Sequence, residues 1–205
     1  MQDVLKQLVK ETVAPLLKLH GFKKKGNHFA HMFSEFSWTL NVQSSRWNTN
    51  DDVEFTINTG LFINKLYGTY YLYDPPAFPT EVESVLRLRV SELKSESEEH
   101  EDIWYKLTPA TDIDDLKERI KQDIEDIILP HFEQFRTIQN IIQGLEKREE
   151  QGYFEPVHFQ TILYKEYGYR EAAQKRMNKV YSECETDDQR EYTKELAGRL
   201  GLEIT

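Results

Sequence analysis

Cysteine is nearly missing: Cys184 is the only one in 205 residues. One thiol excludes an internal disulfide framework and a thiolate metal cluster, and it fits a reducing compartment, so a cytoplasmic location is expected. No run of about 18 apolar residues occurs, which excludes a membrane-spanning helix. The opening MQDVLKQLVKET spaces its charges amphipathically. A secretory signal would have a basic stub and an apolar core there, so none is expected. Basic residues are also outnumbered, with 26 Lys and Arg against 36 Asp and Glu, a formal net charge of −10 and a pI near 5.2. Phosphate binding needs clustered cations, so a general grip on nucleic acid or an anionic membrane is disfavoured. A basic protein partner stays open.

What is present is aromatic and periodic. Eleven Tyr, eleven Phe and three Trp are too many for a disordered chain, and the length suits one core with an appendage. In Phe36 to Ile63, Phe36, Trp38, Leu40 and Val42 alternate with Ser37, Thr39, Asn41 and Gln43. Val53, Phe55, Ile57, Leu61 and Ile63 likewise alternate with Glu54, Thr56 and Asn58. Period-two alternation predicts two neighbouring strands with a core face and an amide-rich face, joined by a polar loop holding Trp47, which is expected to fold back onto the core.

Leu5, Leu8, Val9, Thr12, Val13, Leu16 and Leu17 recur at helical spacing over 2–20, with Pro15 kinking the last turn and Gly21 as the stop. Lys23, Lys24 and Lys25 read as a turn before a strand at His28 to Phe33. Gly21 and Gly26 are followed by no Lys-Ser or Lys-Thr, so a phosphate-binding loop is not supported. LYGTYYLY, residues 66–73, is β-prone and ends at Asp74-Pro75-Pro76; exposed, its aromatics would form a binding surface. In 83–93, Leu86, Leu88 and Val90 alternate with Arg87, Arg89 and Ser91, a further strand. An acidic run at 95–102 reads as an exposed loop, after which Ile103 to Leu107 returns to the core. Thr111-Asp112 starts a helix interrupted at Pro130; a second carries Phe132, Phe135, Ile138, Ile141, Ile142 and Leu145. Residues 146–152 read as a charged hinge, and strand-like alternation is absent beyond it.

The expected fold is therefore α+β: an antiparallel sheet of about four to six strands packed against N- and C-terminal helices. Its domain is expected over 1–145, and 153–205 forms a small helical tail.

One constellation resembles a site. Asn41, Gln43 and Asn58 offer amide donors and acceptors on the polar face, and Arg89, with Arg87 second, offers a planar fork for carboxylate or phosphate. Trp47, Tyr70, Tyr71 and Tyr73 are candidates for a partner surface. Metal ligation is not expected: His28 and His31 point to opposite faces of one strand, and no His-Glu-x-x-His occurs. No cofactor is expected either. Cys184, placed in a tail helix, has no His or Asn assigned beside it by the sequence, so no catalytic residue is named.

Short words in order are similar to one bacterial family: Gly21-Phe22-Lys23-Lys24 with Phe29, Asn41-Val42-Gln43-Ser44, Phe55 to Gly60, Leu88-Arg89-Val90 with Leu93, Asp102 to Tyr105, and Leu129-Pro130. The chain resembles, over about residues 5–140, the bacterial domain of unknown function 4304. That family's tendency to Arg-Ile-Gly stands here as Arg89-Val90-Ser91, and its double Trp as Trp104-Tyr105. The resemblance implies an α+β domain with no established activity. The reading favours a non-enzymatic, immunity- or adaptor-like protein-binding domain. Against it stand a small-ligand or nucleotide-processing enzyme using the polar face, and a scaffold acting through the tail.

Overall fold

The computed structural model describes residues 1–94 and 104–204; the acidic run and Ile103 lie outside them. The chain divides into two compact units, residues 1–63 with 76–140, and residues 64–75 with 141–205. The first holds a six-stranded antiparallel sheet, so the fold is α+β. In order, β1 (Lys23–Lys25), β2 (His28–Met32), β3 (Phe36–Ser44), β4 (Val53–Ile63) and β5 (Val85–Arg89) are neighbours, and β6 (Tyr105–Leu107) pairs with the other end of β4. The three lysines are thus a strand. They occupy the sheet's edge, where exposed ammonium groups discourage pairing with another chain.

The apolar face of the sheet is covered by helices. At the N-terminus α1 (Gln2–Leu8), a π-helical turn (Val9–Val13) and α2 (Ala14–Leu19) bury Leu5, Leu8, Val9, Val13 and Leu17. Gly21 ends this run at φ +81, with Phe22 N–H reaching back to the Leu17 carbonyl, as a left-handed cap does. After α4 (Val90–Lys94), α5 (Ile113–Gln122) starts at Asp112, whose carboxylate accepts from the N–H groups of Asp114 and Asp115. It continues through a second π-helical turn (Asp123–Ile128) into α6 (Leu129–Glu133).

Neither proline breaks its helix. Pro15 and Pro130 each sit in the first turn after a π segment, and the residue before each donates five back, Ala14 to Val9 and Leu129 to Ile124. A ring that would clash with an i−4 carbonyl in α-helical spacing is accommodated by the wider turn. The break comes later, between Glu133 and the next helix, α7 (Ile138–Glu150), and residues 146–150 are that helix's last turns rather than a hinge.

Parity sets the core. Trp38 lies opposite Leu61 and His31 in the ladder, and its ring stacks on Phe132 of α6 at 5.4 Å. His31 stacks on Phe33 at 4.5 Å on the same face. Burial disfavours its imidazolium, so its pKa lies below the ordinary histidine value; His158, in the other unit, is depressed for the same reason. Because the unfolded imidazoles titrate higher than the folded ones, stability is complete above the unfolded value, about 6.5, and declines as pH falls below it. Urea midpoints should therefore fall between pH 7.5 and 5.5, and His31→Gln with His158→Gln should reduce that fall. An equal fall in the double variant would refute the assignment.

The second unit is helical: α3 (Asn64–Tyr71), α8 (Phe159–Glu166), α9 (Arg170–Ser182) and α10 (Asp187–Leu200), with the later part of α7. Residues 66–71 are therefore helix rather than strand. Leu66 is buried, and Tyr70 meets Phe159 edge-on at 4.8 Å, so packing overrides aromatic β-propensity. Cys184 lies in the connection between α9 and α10, not in a helix. Its thiol is 3.3 Å from the Val180 carbonyl and 3.6 Å from Thr193 Oγ1, which is 3.0 Å from His158 Nε2. Thr193 donates to the Gln189 carbonyl at 2.7 Å, so its oxygen accepts from His158 and fixes the Nε2–H tautomer.

Candidate polar-face cleft

Antiparallel register draws one line across five strands. Lys25 pairs with His28, His28 with Asn41, Asn41 with Asn58, and Asn58 with Arg89. Alternation assigned these residues to a face; register makes them neighbours. Gln43, opposite Thr56 in the next row, accepts a 2.6 Å hydrogen bond from Asn58 Nδ2. Asn41 Nδ2 lies 3.0 Å from His28 Nδ1.

Arg87 and Arg89 reach this face through an irregularity. Thr59 pairs with Leu88 but Leu61 pairs with Val85, so β5 carries one residue more than β4 across Leu86 and Arg87. Leu86 takes the left-handed conformation at φ 50, which costs a non-glycine residue about 1 kcal/mol or more. The bulge changes parity within the strand. Val85 enters the core fully buried, whereas Arg87 and Arg89 line the polar side. The predicted alternation also stops early, because Val90 and Ser91 begin α4 instead of extending the strand.

Part of the polar face is closed. The stretch 80–84, including a 3₁₀ turn (Glu81–Glu83), covers it, and Ser84 Oγ lies 2.8 Å from Thr39 Oγ1. Gly60 makes room beneath: a Cβ there would stand 2.7 Å from that of Ser84. Glu81 is brought in at 4% exposure, with Oε2 3.4 Å from His28 Nδ1 and Oε1 3.8 Å from Arg87. A buried carboxylate needs a counter-charge, which the Arg87 guanidinium supplies. Sequence reading missed both His28 and Glu81 as members of this cluster. Glu81 lies in a proline-flanked stretch without periodicity, so no sequence signal marked it; His28 was separable from His31 only by parity.

Beyond this cover the face opens into a cleft of about 260 Å³, lined by Gln43, Asn58, Arg87, Leu88, Arg89 and Glu92. Glu92 accepts from the Arg89 backbone N–H at 2.7 Å, and the Arg89 guanidinium lies 5.4 Å from the Trp104 ring centre. Of the five predicted ligand residues, Gln43, Asn58, Arg87 and Arg89 line the cleft; Asn41 stands behind them against His28. The lining brings together two guanidinium groups, of which Arg87 also faces Glu81 at 3.8 Å, and the Gln43 amide N–H groups, a set of donors of the kind that recognises an acceptor-rich planar anion. Among the described residues, no three His, Cys, Asp or Glu side chains gather to hold a metal.

The predicted partner-surface residues are divided between the units. Trp47, in the first, does not fold back: it is 77% exposed, with Arg46 over its ring at 4.7 Å. Its short polar loop is held by Asn48 bridging to Glu54, which leaves the indole no route to the core. In the second, Tyr71 and Tyr73 are exposed and Tyr70 is half-buried against Phe159.

No curated protein and no solved structure matches the chain. No helix among the described residues is long and apolar enough to cross a membrane. A family model described as a domain of unknown function, DUF4304, matches residues 13–134, which take in the whole sheet and the cleft. With more than half its length in that match, the chain belongs to the DUF4304 family.

Proposed function

We propose that this is a non-enzymatic binding protein of the cytoplasm, immunity- or adaptor-like, which anchors one acidic side chain of a protein partner between Arg87 and Arg89. The observation that carries this reading is the size and chemistry of the cleft. At about 260 Å³ and with a polar lining, it is small for a whole metabolite, whose sites typically span about 300–1,000 Å³ and are mostly apolar. It is large enough for a carboxylate held by paired guanidinium forks. The net charge of −10 makes an overall basic partner the favoured one, because long-range attraction speeds encounter while the local fork sets register.

The test is native mass spectrometry of the tagged protein purified gently from its own host, beside an Arg87→Ala/Arg89→Ala variant. A stoichiometric protein should accompany the unaltered chain, dissociate with added salt and be lost from the variant. A partner retained equally by the variant would remove the cleft from the reading. A second reading, turnover of a small anionic ligand, is favoured by one feature, the buried Glu81 carboxylate beside the His28 imidazole. A metabolite accompanying the chain in place of a protein would move the argument there.

A further inference from the structure

We propose that the helical unit carries a separate docking groove for a basic segment of a partner protein bearing apolar side chains. The groove lies along the end of α7, the irregular residues 151–158, and α9. One cavity of about 290 Å³ and an adjoining cleft of about 400 Å³ share Glu149, Phe154 and Lys179, so they form one continuous depression. Phe154 is 76% exposed and Val157 53%, with Pro156 and Val180 completing an apolar strip.

Two independent features point to what it takes. The first is charge. Glu146, Glu149, Glu150, Glu155 and Glu183 line the two parts against Arg176 and Lys179 alone. Arg176 holds Glu149 at 2.8 Å, and Tyr164 donates to Glu146 at 2.6 Å; with five carboxylates against two cations in the lining, the formal balance is acidic. Such a lining attracts lysine and arginine side chains and repels acidic ones.

The second is an unmet acceptor. Gln160 is 5% exposed, its amide bonded to Glu149, and its Oε1 has no hydrogen-bond partner among the described residues. A buried carbonyl left without a donor is costly, and so is the Nε–H of Arg176 in the same lining, likewise unpartnered among the described residues. The groove therefore favours a peptide, which brings N–H donors together with carbonyl acceptors. The Gln160 oxygen is shielded from water here and needs a donor from the occupant. Ammonium, guanidinium and peptide N–H groups all supply one, and apolar side chains beside them would lie along Phe154, Val157 and Val180.

This inference does not depend on the cleft in the first unit. The probe is a synthetic peptide of alternating leucine and lysine, titrated by fluorescence anisotropy against the full chain, with its leucine–glutamate counterpart as control. Saturable binding of the lysine peptide alone is expected, weakened about tenfold or more by Phe154→Ala and by Glu183→Lys, which alter exposed side chains. Arg87→Ala/Arg89→Ala should leave it unchanged, so failure here and failure of the first-unit reading are distinguishable. Absence of saturable binding, equal binding of the glutamate peptide, or indifference to Phe154→Ala and Glu183→Lys would each overturn the groove. Loss of binding in the double arginine variant would do the same.

Discussion

Trp38→Ala lowers the stability of the α+β unit by about 3–5 kcal/mol, read as a fall in the urea midpoint of its far-ultraviolet transition. The side chain is 2% exposed and serves three functions at once. It stacks on Phe132 at 5.4 Å with an interplanar angle of 11°, meets Phe33 edge-on at 4.9 Å, and donates Nε1–H to the Phe135 carbonyl at 3.0 Å. Truncation therefore opens a cavity and also orphans a carbonyl at the end of α6, where the helix has already broken. Trp38→Phe separates the two effects. It keeps most of the ring contact and loses the hydrogen bond, so it should cost about 1–2 kcal/mol beyond the small change in volume. Ile57→Ala, on the same face, should cost about 2–5 kcal/mol. Unchanged midpoints would mean that the two faces of the sheet have been exchanged.

The faces were legible because alternation is a local property. Phe36 to Val42 and Val53 to Ile63 each declare an inside and an outside without reference to any other strand. Register is not local, and neither is the bulge at Leu86, whose reason is the need to bury Val85 while turning two arginines outward. Hence Asn41, Asn58 and Arg89 could be assigned to one face, but not to one row, and Glu81 could not be assigned at all. Tyr70 shows the opposite limit: a tyrosine-rich octet has strand propensity, but its burial against Phe159 is decided by a helix some 90 residues away in the chain. The prolines misled for a different reason. Pro15 and Pro130 are helix breakers in α-helical geometry, and nothing in the flanking residues announces the π turns that admit them.

The second large effect concerns a charge buried within the second of those π turns. Asp123, in the turn before Pro130, is 5% exposed. It accepts from the Tyr105 hydroxyl at 2.5 Å and pairs with Lys94 at 2.6 Å, linking β6, α4 and the long C-terminal helix of the unit. Burial, and then the bond to Asp123, hold the Tyr105 hydroxyl protonated far above the usual phenol range, so it stays a donor at any working pH. Asp123→Ala should cost about 2–4 kcal/mol, because it leaves a buried phenol without an acceptor and an ammonium, itself only 23% exposed, without a counter-charge. Asp123→Asn keeps an acceptor for Tyr105 but not the charge, and should fall between the two. The decisive comparison is with Lys94→Met/Tyr105→Phe/Asp123→Leu, which removes every polar partner together. If the cost of Asp123→Ala is the cost of stranding its partners, the triple variant recovers most of the lost stability, since a buried ion pair is often no better than apolar residues of similar volume. If the triple variant is instead less stable than Asp123→Ala, the triad is itself a net source of stability and holds β6 against the helix by attraction rather than by mutual satisfaction.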